Sequence, residues 1–318
     1  MTLVVEQPAL IMRVQDAGRF GFLRFGMPQA GPVDWWAFRA GNRLVHNSSG
    51  STGLEIGFSN AALRIEKDAL LTVCGAGYRI FLNEKQMPLW MAFLARNGDR
   101  IFLEKCTGGN WAYLAVSGGI QTRDWMGSHS VYPKAGLGRL LMAGDELSIK
   151  EVTPESRRLA GSAYSKTDQP AYAKDTLIRV IPGPQYECFT SGSKKAFWNQ
   201  PFSVTSRSNR MGYRLAGEKL SHRIAGELVS QGMVTGEIQV PPDGKPIVMM
   251  PEHPTTGGYP SIGVICRVDL PLIAQAQPGL SSIQFQRINI NEAQKQLSEI
   301  LHLIDKVETP EEDQWMNL

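Results

Sequence analysis

The residues best suited to chemistry lie in the stretch 235–265, which reads TGEIQVPPDGKPIVMMPEHPTTGGYPSIGVI. Its proline and glycine residues flank the apolar run 247–250, and ordinary strands avoid both residue types. Such residues collect where the backbone turns sharply or approaches another group closely. The pattern predicts a buried strand with a shaped loop at each end, which is a common way to build a ligand site.

The loop after this strand carries a set of hydrogen-bond donors. We predict that its backbone N–H groups form a nest for an anion or an oxyanion. The residues of this nest are Thr255, Thr256, Gly257 and Gly258. Tyr259 adds an aromatic face or a phenolic donor, and Gln239, before the strand, could bind an amide or ureido group. The alternative is a structural corner of a β-barrel.

A second donor-rich stretch, 206–215, contains three arginines. Arg210 or Arg214 could orient a carboxylate, carbonyl or carbamoyl group, because the planar guanidinium donates two parallel hydrogen bonds. Asn209 and Tyr213 would add contacts to the same substrate. A structural role that bridges two domains is the alternative. Nucleic acid is a weak candidate, because the net charge is only +3 and the basic residues are scattered.

Two charged pairs near the N-terminus have both functional and structural interpretations. Asp16 and Arg19 are three residues apart, so they could form an ion pair that pins a turn, or Arg19 could face an anionic group in a cleft. Asp34 precedes the helical pattern 35–45 and is predicted to cap it. The N–H groups of that helix could bind an anion, but a carboxylate cap weakens such binding.

Short β-favouring runs between Gly, Asn and Asp turns dominate the chain, which favours barrels or sandwiches over alternating strands and helices. The length of 318 residues indicates two domains, 1–155 and 176–318, joined by a polar linker at about 156–175.

Helices are few. Asp269 is predicted to cap a short helix that ends at Pro278, and Asn291 to cap a C-terminal helix. The apolar residues of that last helix are Ala293, Leu297, Ile300, Leu301 and Ile304.

Several classes of protein are disfavoured by absent motifs. The sequence has no GxxxxGK[ST], GxSxG or HExxH pattern, its five histidines are dispersed, and we expect no metal site. No Ala-Met-Lys-Met occurs, so we expect no biotin on this chain. The four cysteines are far apart, and no signal peptide or membrane-spanning run is apparent, which predicts a cytoplasmic protein outside the membrane.

Longer motifs extend over nearly the whole chain: VQDAGRFGF, GMPQAGPVDWWAFRAGNRLVHN, LEIGF, YLAVSGGI, GRLLMAGD, RVIPGPQYECF, SNRMGYRLAG, GEIQVPPDGKPIVMMPEHPTTGGYPSIGVI and DLPLIAQAQPG. In type and order they resemble the second-subunit family of allophanate hydrolase-type proteins. That family includes KipA, the carboxyltransferase domain of urea carboxylase and the C subunit of 5-oxoprolinase. The chain departs from the family at His253, where Arg is usual, and at Asn209, where Asp is common.

The resemblance implies a mainly β fold of two cyclophilin-like β-barrel domains with a few short helices and a C-terminal helix. It also implies partners, namely an allophanate hydrolase subunit 1 (a KipI-like protein that serves as the B subunit) and the A subunit of 5-oxoprolinase. The implied activity is cleavage of 5-oxoproline to glutamate, with ATP bound at the level of the complex. The alternatives are biotin-dependent carboxyl transfer and a KipA-like regulator that binds a kinase-inhibitor partner.

Combined with the residue patterns, the resemblance leads to a set of expected site residues. The expected catalytic residues are Arg210, Arg214, Thr255 and Thr256. The expected substrate-binding residues are Asp16, Arg19, Asn209, Tyr213, Gln239, Gly257, Gly258 and Tyr259.

Overall fold

The computed structural model describes residues 2–223 and 228–307. Within these ranges the chain is mainly β, as predicted, and it divides into two compact units. The first unit contains residues 2–19, 34–170 and 301–307, and the second contains Phe20–Val33 and the described part of Ala171–Ile300. The units therefore are not the continuous ranges 1–155 and 176–318. As bounds of independently folding domains, those ranges stay a prediction, and 308–318 lie outside the described residues.

The first unit consists of two antiparallel sheets. The strands are β1 (Thr2–Gln7), β2 (Ile11–Gln15), β3 (Gly53–Gly57), β4 (Ala61–Ile65), β5 (Ala69–Gly75), β6 (Tyr78–Leu82), β7 (Lys85–Met87), β8 (Ala92–Ala95), β9 (Arg100–Lys105), β10 (Trp111–Val116), β11 (Ile120–Gln121) and β12 (Glu146–Ile149). One sheet has the order β11-β12-β1-β4-β9-β6-β7 and the other β2-β3-β10-β5-β8. The helices are α1 (Trp35–Leu44) and α2 (Pro154–Arg157).

The five-stranded sheet is buried on both faces. Side chains alternate along a strand, so Leu71 and Val73 of β5 enter the apolar core that both sheets share. Thr72 and Cys74 point the other way and pack against Gly41 of α1. This double burial explains why β5 reads as a continuous apolar run.

The second unit is built around a closed barrel with the strand order β13-β20-β17-β18-β15-β14-β21. The barrel strands are β13 (Asp175–Pro182), β14 (Phe202–Val204), β15 (Gly212–Ala216), β17 (Glu237–Gln239), β18 (Ile247–Met249), β20 (Ser261–Ile265) and β21 (Ser282–Arg287). A separate ribbon pairs β16 (Gln231–Gly232) with β19 (Thr256–Gly257). The helices are α3 (Ser191–Asn199), α4 (Leu270–Gln275) and α5 (Ile290–Asp305). Across the described residues of both units, 3₁₀ turns cover Leu23–Phe25, Pro133–Ala135, Lys166–Asp168, Tyr186–Cys188 and Arg267–Asp269.

Two predicted helix caps are wrong. The carboxylate of Asp269 does not cap α4, which ends at Gln275; it accepts hydrogen bonds from the backbone and guanidinium of Arg179. The residue that caps α5 is Asn289, not Asn291, because its Oδ1 accepts a hydrogen bond from Glu292 N at 2.9 Å. In the first case the competing partner Arg179 engages the carboxylate, and in the second the helix begins at Ile290, so that Asn289 precedes its first turn.

The expected linker is partly structured. Tyr164 is buried, its hydroxyl donates to the carbonyl of Ile304, and its ring packs edge-on against Trp90. Ala163 forms an isolated bridge with Met91. Residues up to Pro170 therefore belong to the first unit.

Candidate functional site

In the first unit, Asp16 organises the segment 128–130. Its Oδ1 accepts hydrogen bonds from the hydroxyls of Ser128 and Ser130, both at 2.6 Å, and its Oδ2 accepts from His129 N at 2.6 Å. Burial raises the pKa of Asp16, but these bonds and one from Gly18 N outweigh it, so the pKa lies below its usual value. Asp16 is therefore an ionised anchor rather than a proton donor.

Arg19 is fully buried beside Asp16, yet no direct ion pair joins the two side chains. Its Nε donates to the carbonyl of Trp125 at 2.8 Å and its Nη2 to the carbonyl of Ser130 at 3.0 Å. The predicted Asp16–Arg19 pin is therefore wrong, because each residue holds the neighbouring segment separately. The third nitrogen, Nη1, is enclosed and has no partner among the described residues.

Gln15 adds a second unpartnered atom to this cluster, and sequence reasoning missed it. The side chain is fully buried, its Nε2 donates to the carbonyl of Val131 at 3.3 Å, and its Oε1 has no partner in the described part of the chain. Buried polar atoms are nearly always hydrogen-bonded, so an enclosed donor on Arg19 and an enclosed acceptor on Gln15 mark a place for a polar ligand or water. The only sequence signal was the polar Gln15 at the end of a strand.

Glu55 and Tyr113 of this sheet form a hydrogen-bond network with Asp34. Tyr113 Oη donates to Glu55 Oε2 at 3.0 Å and accepts from Asp34 N at 2.9 Å. Asp34 also caps α1, as predicted, by accepting from Ala37 N at 3.0 Å. All three residues are buried, so the network fixes the start of α1 on the sheet.

In the second unit, Arg210 lies in a buried ion pair. Its Nε donates to Glu252 Oε1 at 2.7 Å and its Nη2 to the carbonyl of Gly31 at 2.5 Å. The two side chains are only 3% and 6% exposed, so the pair is held away from water. This geometry gives Arg210 a structural function, and any substrate contact would add to it.

The remaining residues of the arginine stretch lie in different environments. Asn209 is exposed, and its Oδ1 accepts from Met211 N at 2.8 Å in a local turn. Tyr213 is buried, and its hydroxyl donates to the carbonyl of Ala274 at 3.0 Å. Arg214 follows on β15 and points out of the barrel, where it is exposed. The structure therefore does not place Arg214 with the buried Arg210.

The loop that was expected to form an oxyanion nest is extended instead. Thr256 and Gly257 are the two residues of β19 and pair with β16. A nest needs alternating right- and left-handed residues, and neither glycine of the loop has a positive φ. Thr255 is half-buried, and both Thr256 and Tyr259 are exposed. Strand pairing therefore gives the loop an extended geometry rather than that of a nest, and the role of its residues in a site stays a prediction.

The extended loop brings Gly257 against Gln239. A Cβ on Gly257 would lie 2.9 Å from Gln239 Nε2 and 2.4 Å from Met233 Sδ, so a larger residue here would have to displace these two side chains. Gly258 is equally close to the carbonyl of Leu228. Sequence reasoning had placed Gln239 and Gly257 in one site, and the structure brings them together.

Gln239 belongs to a buried trio with Glu237 and His253. Gln239 Nε2 donates to Glu237 Oε1 at 3.2 Å, and His253 Nδ1 lies 2.6 Å from the carbonyl of Pro254. All three side chains are at most 4% exposed. Burial lowers the pKa of His253, while the Pro254 carbonyl and the charge of Glu237 oppose the shift. Sequence reasoning singled out Gln239 and noted His253 as a departure from the family, but it did not join either of them to Glu237.

Neither a metal site nor a membrane span is found in the described part of the chain. Across residues 2–223 and 228–307, no group of three or more His, Cys, Asp and Glu side chains is placed to hold a metal ion. Over the same ranges, the structure contains no helix of the length and apolar character that crossing a bilayer requires.

Comparison with known proteins identifies the family of this chain. Residues 25–287 match the family described as carboxyltransferase domain, subdomain A and B, and the chain belongs to this family. It is 36% identical to the C subunit of 5-oxoprolinase from Escherichia coli, over 92% of this chain and 93% of that protein. It is 33% identical to the C subunit of 5-oxoprolinase from Haemophilus influenzae, over 89% of this chain and 90% of that protein.

A solved structure with a similar fold is the urea amidolyase of K. lactis, at 28% identity and a TM-score of 0.88. The similarity covers 96% of this chain but only 20% of that much longer protein. The resemblance inferred from the motifs is thus confirmed at the level of the family.

Proposed function

We propose that this chain is the C subunit of an ATP-dependent 5-oxoprolinase, a complex that cleaves the cyclic amide 5-oxoproline to glutamate with hydrolysis of ATP. The observation that carries the proposal is the extent of the similarity to the relatives named as the C subunit of 5-oxoprolinase, which covers most of this chain and most of each relative. The matches cover 93% and 90% of those two relatives, whereas the urea amidolyase contains this fold as one fifth of a larger chain.

The polar clusters are compatible with a lactam that also carries a carboxylate. Arg19 Nη1 is an enclosed donor without a partner among the described residues, and it stays cationic because arginine does not lose its proton in proteins. Gln15 Oε1 is an enclosed acceptor in the same unit. The carboxylate or carbonyl oxygen of such a ligand is the kind of group that Arg19 Nη1 would bind, and its N–H is the kind that Gln15 Oε1 would accept.

The proposal includes two partners and a location. The A subunit of the 5-oxoprolinase and a B subunit that resembles allophanate hydrolase subunit 1, or KipI, would complete the enzyme. ATP would bind at the level of this complex, because the chain has no phosphate-binding loop of the GxxxxGK[ST] type. We place the complex in the cytoplasm.

The test is co-expression of the three proteins and measurement of glutamate released from 5-oxoproline with and without ATP. We expect release that needs ATP and disappears when this chain is left out. A stable complex of all three proteins that releases no glutamate would refute the proposal.

Carboxyl transfer is the second candidate function. The observation in its favour is the family match to the carboxyltransferase domain together with the urea amidolyase fold. It predicts carboxylation of urea when a biotin-carrying partner is supplied, which the same purified chain can be used to test.

A further inference from the structure

The buried trio Glu237, Gln239 and His253 of the second unit has more hydrogen-bonding capacity than the described residues use. A glutamine amide offers two donors and two acceptor positions, and only one bond from the Gln239 side chain is formed, to Glu237. Glu237 accepts that bond and a long one, 3.3 Å, from Val234 N. None of their polar atoms is among the enclosed atoms without a partner in the described part of the chain, so the unused positions are open to a small polar ligand or to water.

The orientation of His253 determines which of its nitrogens is available. Nδ1 lies 2.6 Å from the Pro254 carbonyl, which can only accept, so Nδ1 must carry the hydrogen. The other nitrogen, Nε2, then has a free lone pair in the neutral ring. Nε2 has no partner in the described part of the chain and is not among its enclosed unpartnered atoms, so it keeps contact with solvent.

The surroundings favour this neutral form. Burial lowers the pKa of His253, and Glu237 is the one ionisable group that acts on it electrostatically among the described residues. The Glu237 carboxylate would stabilise an imidazolium once it forms. Gly257 lies against the side chains of Gln239 and Met233. Met233 N in turn donates to the Thr255 carbonyl, which fixes the loop that follows His253.

We propose that His253 is the proton acceptor of a small-molecule site in the second unit, formed with Glu237 and Gln239, for a ligand with an N–H beside a carbonyl. Lactams and ureas are the chemical classes that fit. The proposed site depends on the proposed function in one respect, because both candidate reactions act on an N–H group beside a carbonyl.

In the proton transfer, the N–H bond of the ligand breaks as an Nε2–H bond forms on His253, which becomes imidazolium. The electron pair left behind spreads over the N–C–O unit of the ligand. Negative charge therefore grows on the ligand oxygen, where the unused N–H of Gln239 could donate. An electrophile then captures the anion. For the lactam, its oxygen bonds to the γ-phosphorus of ATP while the bond from that phosphorus to the β–γ bridging oxygen breaks, so that ADP leaves. For urea, its nitrogen bonds to the carboxyl carbon of a partner's carboxybiotin while the N–C bond of the carboxybiotin breaks, so that biotin leaves and takes up a proton.

A binding experiment on the full chain tests the site without turnover. The ring nitrogens of isotope-labelled histidine are observed by NMR, and His253→Asn identifies the His253 signals. Near neutral pH we expect Nδ1 protonated and Nε2 unprotonated, with the Nε2 signal shifting when 5-oxoproline or urea is added. Protonation at Nε2, or no shift with either probe, would overturn the proposal.

A kinetic experiment on the co-expressed complex tests the role. His253→Asn keeps a polar side chain that cannot take up a proton, so we expect kcat to fall by about 10²–10⁴-fold. Free imidazole should restore part of the activity of His253→Gly, which a merely structural residue would not allow. The matched control is His302→Asn, which alters an exposed histidine on α5.

The acid side of the pH–rate profile is the discriminating readout. A base acts only when neutral, so the wild-type rate should fall as the pH drops through the folded pKa of His253, which lies below its usual 6.5. In His253→Asn this decline should be absent. An unchanged kcat and profile in the variant would refute the proposal.

The two proposals fail separately. A wild-type complex without glutamate release refutes the oxoprolinase assignment, and the NMR experiment still decides the site. A shift of Nε2 with urea but not with 5-oxoproline supports the site and points to carboxyl transfer.

Discussion

At the scale of single residues, the Asp16 carboxylate shows how an acidic side chain can be structural. Removing one of its donors, in Ser128→Ala, should raise the pKa of Asp16 and destabilise the first unit. A hydrogen bond to a charged group contributes about 1.5–3 kcal/mol. Because the folded pKa is depressed, this contribution is present above the usual pKa and is lost as the pH falls through the folded value.

The measurement is urea unfolding of Ser128→Ala and wild type near neutral pH and at the lowest pH at which both remain folded. The difference in free energy of unfolding should shrink on acidification. Ser206→Ala, at an exposed serine, is the matched control. A difference that does not change with pH would mean that Asp16 is not ionised as described.

Arg210 looks like a ligand for the substrate in the sequence, but in the structure it is a buried group with a structural function. Arg210→Met leaves the Glu252 charge buried without its partner, so we expect a loss of about 3–5 kcal/mol in stability. The double variant Arg210→Met with Glu252→Leu should recover most of that loss, because an apolar pair of similar size replaces the ion pair.

Thermal and urea unfolding of the single and double variants measure this coupling. Arg214→Met, at an exposed arginine of β15, should leave stability unchanged. Equal destabilisation in the single and double variants would show that Arg210 and Glu252 act independently. Loss of activity in a fully stable Arg210→Met protein would restore Arg210 as a candidate ligand for substrate.

At the scale of elements, α1 depends on its first residue. Asp34 accepts the Ala37 N–H and donates its own N–H to Tyr113, which ties the helix start to β10. Asp34→Ala should lower the free energy of unfolding by about 0.5–2 kcal/mol, the usual range for loss of an N-cap. Asp34→Ser keeps a capping oxygen and should lose less. Equal losses in the two variants, measured by urea unfolding, would show that the cap is not what matters.

The ribbon of β16 and β19 shows how an element can change the chemistry of a loop. An extended strand directs successive N–H groups to opposite sides, so Thr256 and Gly257 cannot converge on one oxyanion. The same extension lays Gly257 on Gln239 and leaves His253 beside Glu237. The element thus replaces the nest geometry that the loop sequence suggested and creates the site that we propose.

At the scale of the whole molecule, length separates the relatives. The similarity extends over about nine tenths of the two proteins named as the C subunit of 5-oxoprolinase, but over one fifth of the K. lactis urea amidolyase. In the longer protein, the same fold is one part among others in a single chain. Under the proposed function, the remaining catalytic parts come from separate partners, which is why the proposed experiment supplies the A and B subunits together with this chain.

Local sequence patterns determined most of the elements. The run 247–250 predicted β18, the Trp111–Val116 segment is a strand over its full length, and Asp34 caps α1 as expected. These features depend on residues within a few positions of each other, so short-range propensity and spacing suffice. The long matching motifs also indicated the family, which the comparisons confirm.

The partners of the polar side chains were decided by tertiary structure. Asp16 binds serines more than a hundred positions away, and Arg210 pairs with Glu252 across a gap of 42 residues. No local pattern encodes such pairings, because they arise when the sheets and the barrel close and exclude water. The sequence by itself therefore determined that the chain is a mainly β member of this family. The tertiary structure decided which charged side chains stabilise the fold and which can face a ligand. The physical reason is burial, because a buried charged group can pair only with the few groups that the fold places around it.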